Sequence, residues 1–151
     1  EKPVAEISFQ QSAPQVFKAI VTEPGAMPMH YELLGDQWQM DARVLKWRPW
    51  ANILGLNATY RLERLQGRYA DVKDETSSAR SVYALGTNPG IDLWGIANKY
   101  GQNIPLVDTV YGSGAYMPMA DGATYEVAIT QSGLIARAAN EPARVAAENW
   151  K

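Results

Sequence analysis

The chain contains no cysteine and a single histidine, His30. The first absence excludes disulfides, thiolate zinc sites and a cysteine nucleophile. The second excludes a metal site built on paired imidazoles. No run of about 18 apolar residues occurs, so nothing in the sequence reads as a membrane-crossing helix. Charge of one sign is not gathered into blocks either. The formal net charge is −2 with both signs interspersed, so no basic stripe follows the sequence to neutralise phosphates, and nucleic acid is not an expected partner.

At 151 residues the chain has the usual size of one domain and can bury about two-thirds of its unfolded surface. Apolar residues make up 46% and charged residues 20%, which places it away from the disordered regime. A single soluble domain over residues 1–151 is expected, held by its core alone. The chain opens on Glu1-Lys2-Pro3, without an initiator methionine, as a processed product or the part following an N-terminal membrane anchor would.

Two-residue alternation runs through the sequence. Ala5, Ile7 and Phe9 alternate with Glu6 and Ser8, and Val16–Val21 returns after Gln11-Ser12-Ala13-Pro14, predicting a hairpin. Two prolines in Glu23–Pro28 make that stretch a loop. Tyr31–Leu34 follows, then a Gly35-Asp36 turn. Trp38, Met40, Ala42 and Val44 alternate with Gln37, Gln39, Asp41 and Arg43, the mark of one buried and one wet face. The phase slips at Leu45, where a β-bulge is expected. Asn57–Asp71 reads as a long strand with Gly67 at a bulge or bend.

A short helix is expected to open at Asp74–Ser78 and run through Ala79–Leu85, with another over Ile91–Ala97 after a turn at Thr87–Gly90. Leu106–Met119, Thr124–Thr130 and Leu134–Ala138 read as a meander of three strands. Asp121-Gly122 favours a type I′ hairpin turn between the first two. Asn140 and Pro142 mark the start of a terminal helix, as N-cap and first-turn proline. The expected fold class is mainly β: an antiparallel curved sheet, barrel or sandwich of about eight strands with a few short helices, or in the alternative α+β.

Two segments carry a family resemblance. One runs from Gly35-Asp36-Gln37-Trp38 through Lys46-Trp47-Arg48-Pro49-Trp50 to Tyr60-Arg61-Leu62 and Gly67-Arg68-Tyr69. The other runs from Asp92-Leu93-Trp94 through Tyr111-Gly112-Ser113 and Met117–Gly122 to Ser132-Gly133-Leu134. They resemble an uncharacterised family of bacterial proteins loosely labelled cation or multidrug efflux proteins, in which hydrophobic N-terminal helices precede a soluble domain. Covering most of the chain, the resemblance implies a membrane-tethered domain facing the periplasm. It brings no catalytic residues. A transporter needs spanning segments, so the efflux label assigns nothing to these residues.

Several chemical constellations can be weighed against structural readings. His30 with Ser113 would need a nucleophile elbow, but Tyr111-Gly112-Ser113-Gly114 does not match G-x-S-x-G and continues as strand. His30 reads as a surface residue and Ser113 as a strand residue between packing glycines. Asp71-Val72-Lys73-Asp74-Glu75 lacks the spacing of a calcium loop and reads as a capped helix start. Gly112-x-Gly114 and Gly86–Gly90 lack the G-x-x-x-x-G-K-[ST] pattern, so no nucleotide site is indicated. No cofactor is called for.

The distinctive segment is Lys46-Trp47-Arg48-Pro49-Trp50-Ala51-Asn52-Ile53-Leu54-Gly55-Leu56. Tryptophans among cations suit the boundary of water and bilayer. Lys46, Trp47, Arg48, Trp50, Ile53 and Leu54 are the candidate interaction surface. The competing reading is a packed strand end and a one-turn helix closing the barrel mouth, as buried tryptophan usually implies. The expected function is a non-enzymatic binding domain of a membrane-tethered envelope protein. Its partner would be another envelope protein, the membrane surface or a small apolar ligand. The alternative is a hydrolase with a carboxylate-based site.

Overall fold

The computed structural model describes residues 1–48, 59–86 and 107–150. Alternation decides most of the strands. In β1 (Lys2–Ala13) and β2 (Val16–Thr22), Ile7, Phe9, Phe17, Ala19 and Val21 are buried. β1 continues through Ala13, and the turn proves to be Pro14-Gln15. Gln15 is the one non-glycine residue among those described with positive φ, 58°, as the third position of a type II turn requires after proline. The Glu23–Pro28 loop leads to β3 (Met29–Leu34), and Gly35-Asp36 turns the chain into β4 (Gln37–Trp47).

β4 buries Trp38, Met40, Ala42 and Val44 as its pattern predicts. The bulge expected at Leu45 is not there: β4 stays in register past it, and Leu45 is buried on the face opposite Val44. The irregularities lie in its neighbours. β5 (Thr59–Arg68) carries Glu63 as an unpaired residue between the pairs Asp41↔Arg64 and Ala42↔Leu62. Leu62 and Leu65 therefore both face inward, three positions apart, because one extra residue exchanges the faces. On β7 (Val107–Pro118) the register slips opposite Lys46 and Trp47.

The helix of this region starts earlier than expected and is shorter. α1 (Val72–Ser77) is capped by Asp71, whose carboxylate accepts from Lys73 N at 2.9 Å. The Asp71–Glu75 cluster is thus a capped start, and Glu75 also takes Tyr69 N at 2.7 Å. The expected helical continuation fails because Val82–Ala84 instead forms β6, pairing with Gln66, Leu65 and Arg64 of β5. That edge strand raises the count to nine among the described residues. The turn at 87–90 and the helix over 91–97 fall outside them.

β8 (Thr124–Thr130), β9 (Gly133–Ala138) and α2 (Glu141–Glu148) complete the chain. Asn140 caps α2 as predicted, accepting from Ala143 N at 3.1 Å. The meander requires correction. β7 pairs with β4 while β8 pairs with β1, so Asp121-Gly122 joins two sheets and not a hairpin. Only Gly122, at φ 78°, has positive φ there, which rules out a type I′ turn. Asp121 Oδ1 accepts from Gln11 N and Gly122 N donates to Phe9 O, both at 2.9 Å. The turn residues fasten the crossing to β1.

The architecture is mainly β: a five-stranded sheet, β3-β2-β1-β8-β9, faces a four-stranded sheet, β6-β5-β4-β7, all antiparallel, and among the described residues the two are not closed into a barrel. Their inner faces share one core. At its centre the Trp38 ring lies 6.1 Å from Phe9 and 5.5 Å from Tyr125. Side chains rather than ladders join the corners: Ser81 Oγ accepts from Leu34 N, and Ser113 Oγ from Leu134 N, both at 2.9 Å. At the first corner a Cβ on Gly67 would stand 2.2 Å from the Leu34 carbonyl oxygen, so only glycine admits the approach.

Candidate binding surface

The two ends of the sandwich differ. One end is pinned by Asp36. Its carboxylate accepts from Gln15 Nε2 and Ala70 N, both at 3.0 Å; its N–H donates to Arg68 O and its carbonyl accepts from Met119 N, both at 2.8 Å. The opposite end is the one where β1 begins and β4 finishes. Tyr31, Tyr60 and Tyr111 are partly buried there against the core. Lys2 Nζ lies 5.9 Å from the Tyr60 ring centroid, and Met27 and Met29 stand exposed nearby.

Glu23 leads into the loop at this end. Partial burial raises its carboxyl above the ordinary range. Burial, then the Glu23 charge, raises the phenols of Tyr31 and Tyr60, which belong to inner faces of opposite sheets. Beside the loop, Glu6, Glu23 and Glu126 line a depression of about 330 Å³, Glu6 and Glu126 being cross-strand partners. Among the described residues no group of carboxylates and imidazole is arranged to hold a metal ion.

The tryptophan-bearing segment leaves from this end. Lys46 and Arg48 are exposed, and Trp47 ends β4 by pairing with Val107. The Trp47 side chain, Trp50, Ile53 and Leu54 lie outside the described residues. The other chemical candidates have structural occupations. His30 is exposed on β3 opposite Ile20, and Ser113 Oγ serves the corner with β9.

A surface the sequence reading missed lies on the outer face of the four-stranded sheet. Alternation with Trp38, Met40 and Ala42 turns Gln39, Asp41 and Arg43 outward. The Glu63 bulge sets Arg61 opposite Arg43 and Arg64 opposite Asp41, while Arg68 lies opposite Gln37. Four arginines from two strands thus share a face with two carboxylates. Arg43 pairs with Glu63 at 2.7 Å, Arg64 with Asp41 at 3.2 Å, and Arg61 with Glu63 at 3.6 Å. Gln39 Nε2 donates to Asp41 Oδ1 at 2.9 Å, and Arg68 donates to Gln39 Oε1 at 3.4 Å.

Glycine shapes the rest of the face. Gly112 and Gly114 of β7 stand opposite Arg43 and Asp41. With no side chains there, a depression of about 550 Å³ opens, lined by Gln39, Asp41, Arg43, Glu63 and Arg64 among others. A Cβ on Gly114 would meet Asp41 Oδ1 at 2.6 Å, so glycine leaves the carboxylate room. A second depression of about 430 Å³ adjoins across Glu63 and Arg64 and reaches exposed Val82. On the other flank the Arg68 guanidinium stacks 4.2 Å from the ring centroid of exposed Tyr116, whose edge meets Trp150 at 5.4 Å.

Searches against protein-family models, curated proteins and solved structures return no match to this chain.

Proposed function

We propose that the chain is a non-enzymatic binding domain of a membrane-tethered bacterial envelope protein, with its folded part in the periplasm. The observation that carries the reading is the outer face of the four-stranded sheet. Its charged groups are exposed or half-buried, several are paired with one another, and they are spread over a surface and not gathered around a reactive atom. Asp41 and Glu63 both spend oxygens on guanidinium partners. The space between the sheets is filled by Phe9, Trp38, Met40, Leu65 and Tyr125, all at most 1% exposed. The tether and the periplasmic side rest on the family resemblance of the two segments.

One observation favours a second reading, a hydrolase with a carboxylate site. Glu23 has a raised carboxyl and shares its depression with Glu6 and Glu126. Carboxyl groups set apart in this way can divide acid and base roles. The test is turnover of chromogenic glycoside, ester and phosphoester substrates by the parent and by Glu23→Gln. The binding-domain reading predicts the same background rate for both. Turnover by the parent that Glu23→Gln abolishes would replace it with the hydrolase.

A further inference from the structure

We infer that the outer face of the four-stranded sheet docks on an anionic lipid bilayer, an inference that rests on the binding-domain reading above and names its partner. Charge complementarity carries it. That face holds four cations, Arg43, Arg61, Arg64 and Arg68, against the carboxylates Asp41 and Glu63, in a chain whose net charge is −2. The positive excess is therefore local, and the compensating acids lie elsewhere. On the outer face of the five-stranded sheet, Glu6 stands opposite Glu126 and Lys18 opposite Glu32.

The existing ion pairs do not consume Arg43 and Arg64. The Arg43 and Arg64 side chains are 50% and 57% exposed, and each guanidinium has five N–H donors in a planar fork. Their carboxylate partners Glu63 and Asp41 are less exposed, at 32% and 18%, so the outward N–H groups of each guanidinium can take a lipid phosphate beside the carboxylate. The two depressions flanking Arg64 admit headgroups between the guanidinium rows. At the margins stand Tyr116, Trp150 and exposed Val82. Aromatic rings beside arginine suit the headgroup layer.

Co-sedimentation of the whole chain with vesicles tests the inference. The parent is expected to bind vesicles of phosphatidylcholine with phosphatidylglycerol and not those of phosphatidylcholine alone. Binding should fade as NaCl rises from about 0.1 to about 1 M, where the screening length falls from about 10 to about 3 Å. Arg43→Gln with Arg64→Gln should lower the partition coefficient roughly 25-fold, about fivefold for each cation, with an unchanged melting midpoint. Lys18→Gln, on the other sheet, should bind as the parent does. Should the double variant melt early, Arg43→Lys with Arg64→Lys decides: retained binding and salt dependence support the inference, and lost binding overturns it. Equal binding to both vesicle types, or anionic binding that the double glutamine variant keeps, also overturns it. Self-association that the double variant abolishes would give the face to a second copy instead. None of these outcomes touches the non-enzymatic reading, which falls only to turnover.

Discussion

Trp38 is the residue through which the packing of the two sheets can be tested most sharply. It is fully buried, with its ring against Phe9 and Tyr125. Its indole Nε1 has no hydrogen-bond acceptor among the described residues. Two effects therefore oppose each other at one position. Trp38→Ala removes the ring contacts and leaves a cavity, at a cost of about 3–5 kcal/mol. That is a large fraction of a margin of about 5–15 kcal/mol. Trp38→Phe keeps most of the ring but removes a buried donor whose desolvation costs about 1–3 kcal/mol. The lost indole volume and the relieved donor nearly cancel, so Trp38→Phe should lie within about 1 kcal/mol of the parent. Urea unfolding followed by circular dichroism, with the m-values compared, gives both numbers. A phenylalanine variant as unstable as the alanine variant would refute the unpartnered donor. An alanine variant within about 1 kcal/mol of the parent would refute the aromatic centre of the core.

Two further predictions concern a corner and an ionisable group. Gly67→Ala should destabilise by about 1–3 kcal/mol, because its Cβ meets the Leu34 carbonyl and backbone must shift; an unchanged urea midpoint would contradict the close approach. Burial pushes the Tyr125 phenol up from its ordinary 10 to about 12, so its ionisation opposes folding. Tyr125's contribution to stability is fully present below pH 10, and it falls as pH rises toward 12 by at most about 1.4 kcal/mol per unit. Tyr125→Phe should lose less over that window, while costing about 1 kcal/mol at neutral pH for its hydrogen bond to Pro118 O. Parallel pH curves for the two proteins would sink the argument.

Much of the β architecture was legible because period-two alternation is local. Trp38, Met40, Ala42 and Val44 announce their buried face within seven residues, and Asn140 with Pro142 announces a helix start. Pairing is not local. Asp121-Gly122 has the chemistry of a hairpin turn, yet β7 is held by β4 and β8 by β1, so the same residues serve a crossing between sheets. The short strand at Val82–Ala84 has too few residues for alternation to show, and it exists because β5 offers an edge. The same limit hid the arginine face. Arg43 and Arg61 are 18 positions apart in sequence and become neighbours only through strand register. Arg64 joins them because Glu63 is bulged, and the signal for that bulge was the three-residue spacing of Leu62 and Leu65. The candidate segment starting at Lys46 was chosen for composition, which strand register does not alter; of its residues, Lys46 and Arg48 are exposed.

Orientation on the bilayer is the central claim, and the lack of cysteine makes it directly measurable. A single nitroxide can be attached at Gln66→Cys, on the outer face of the four-stranded sheet, or at Gln10→Cys, on the outer face of the other. Collision with a water-soluble nickel chelate is then read with and without phosphatidylglycerol vesicles. The label at 66 should become shielded on the vesicles while the label at 10 stays open to water. Shielding at 10 with an open label at 66 in the bound protein would contradict the account.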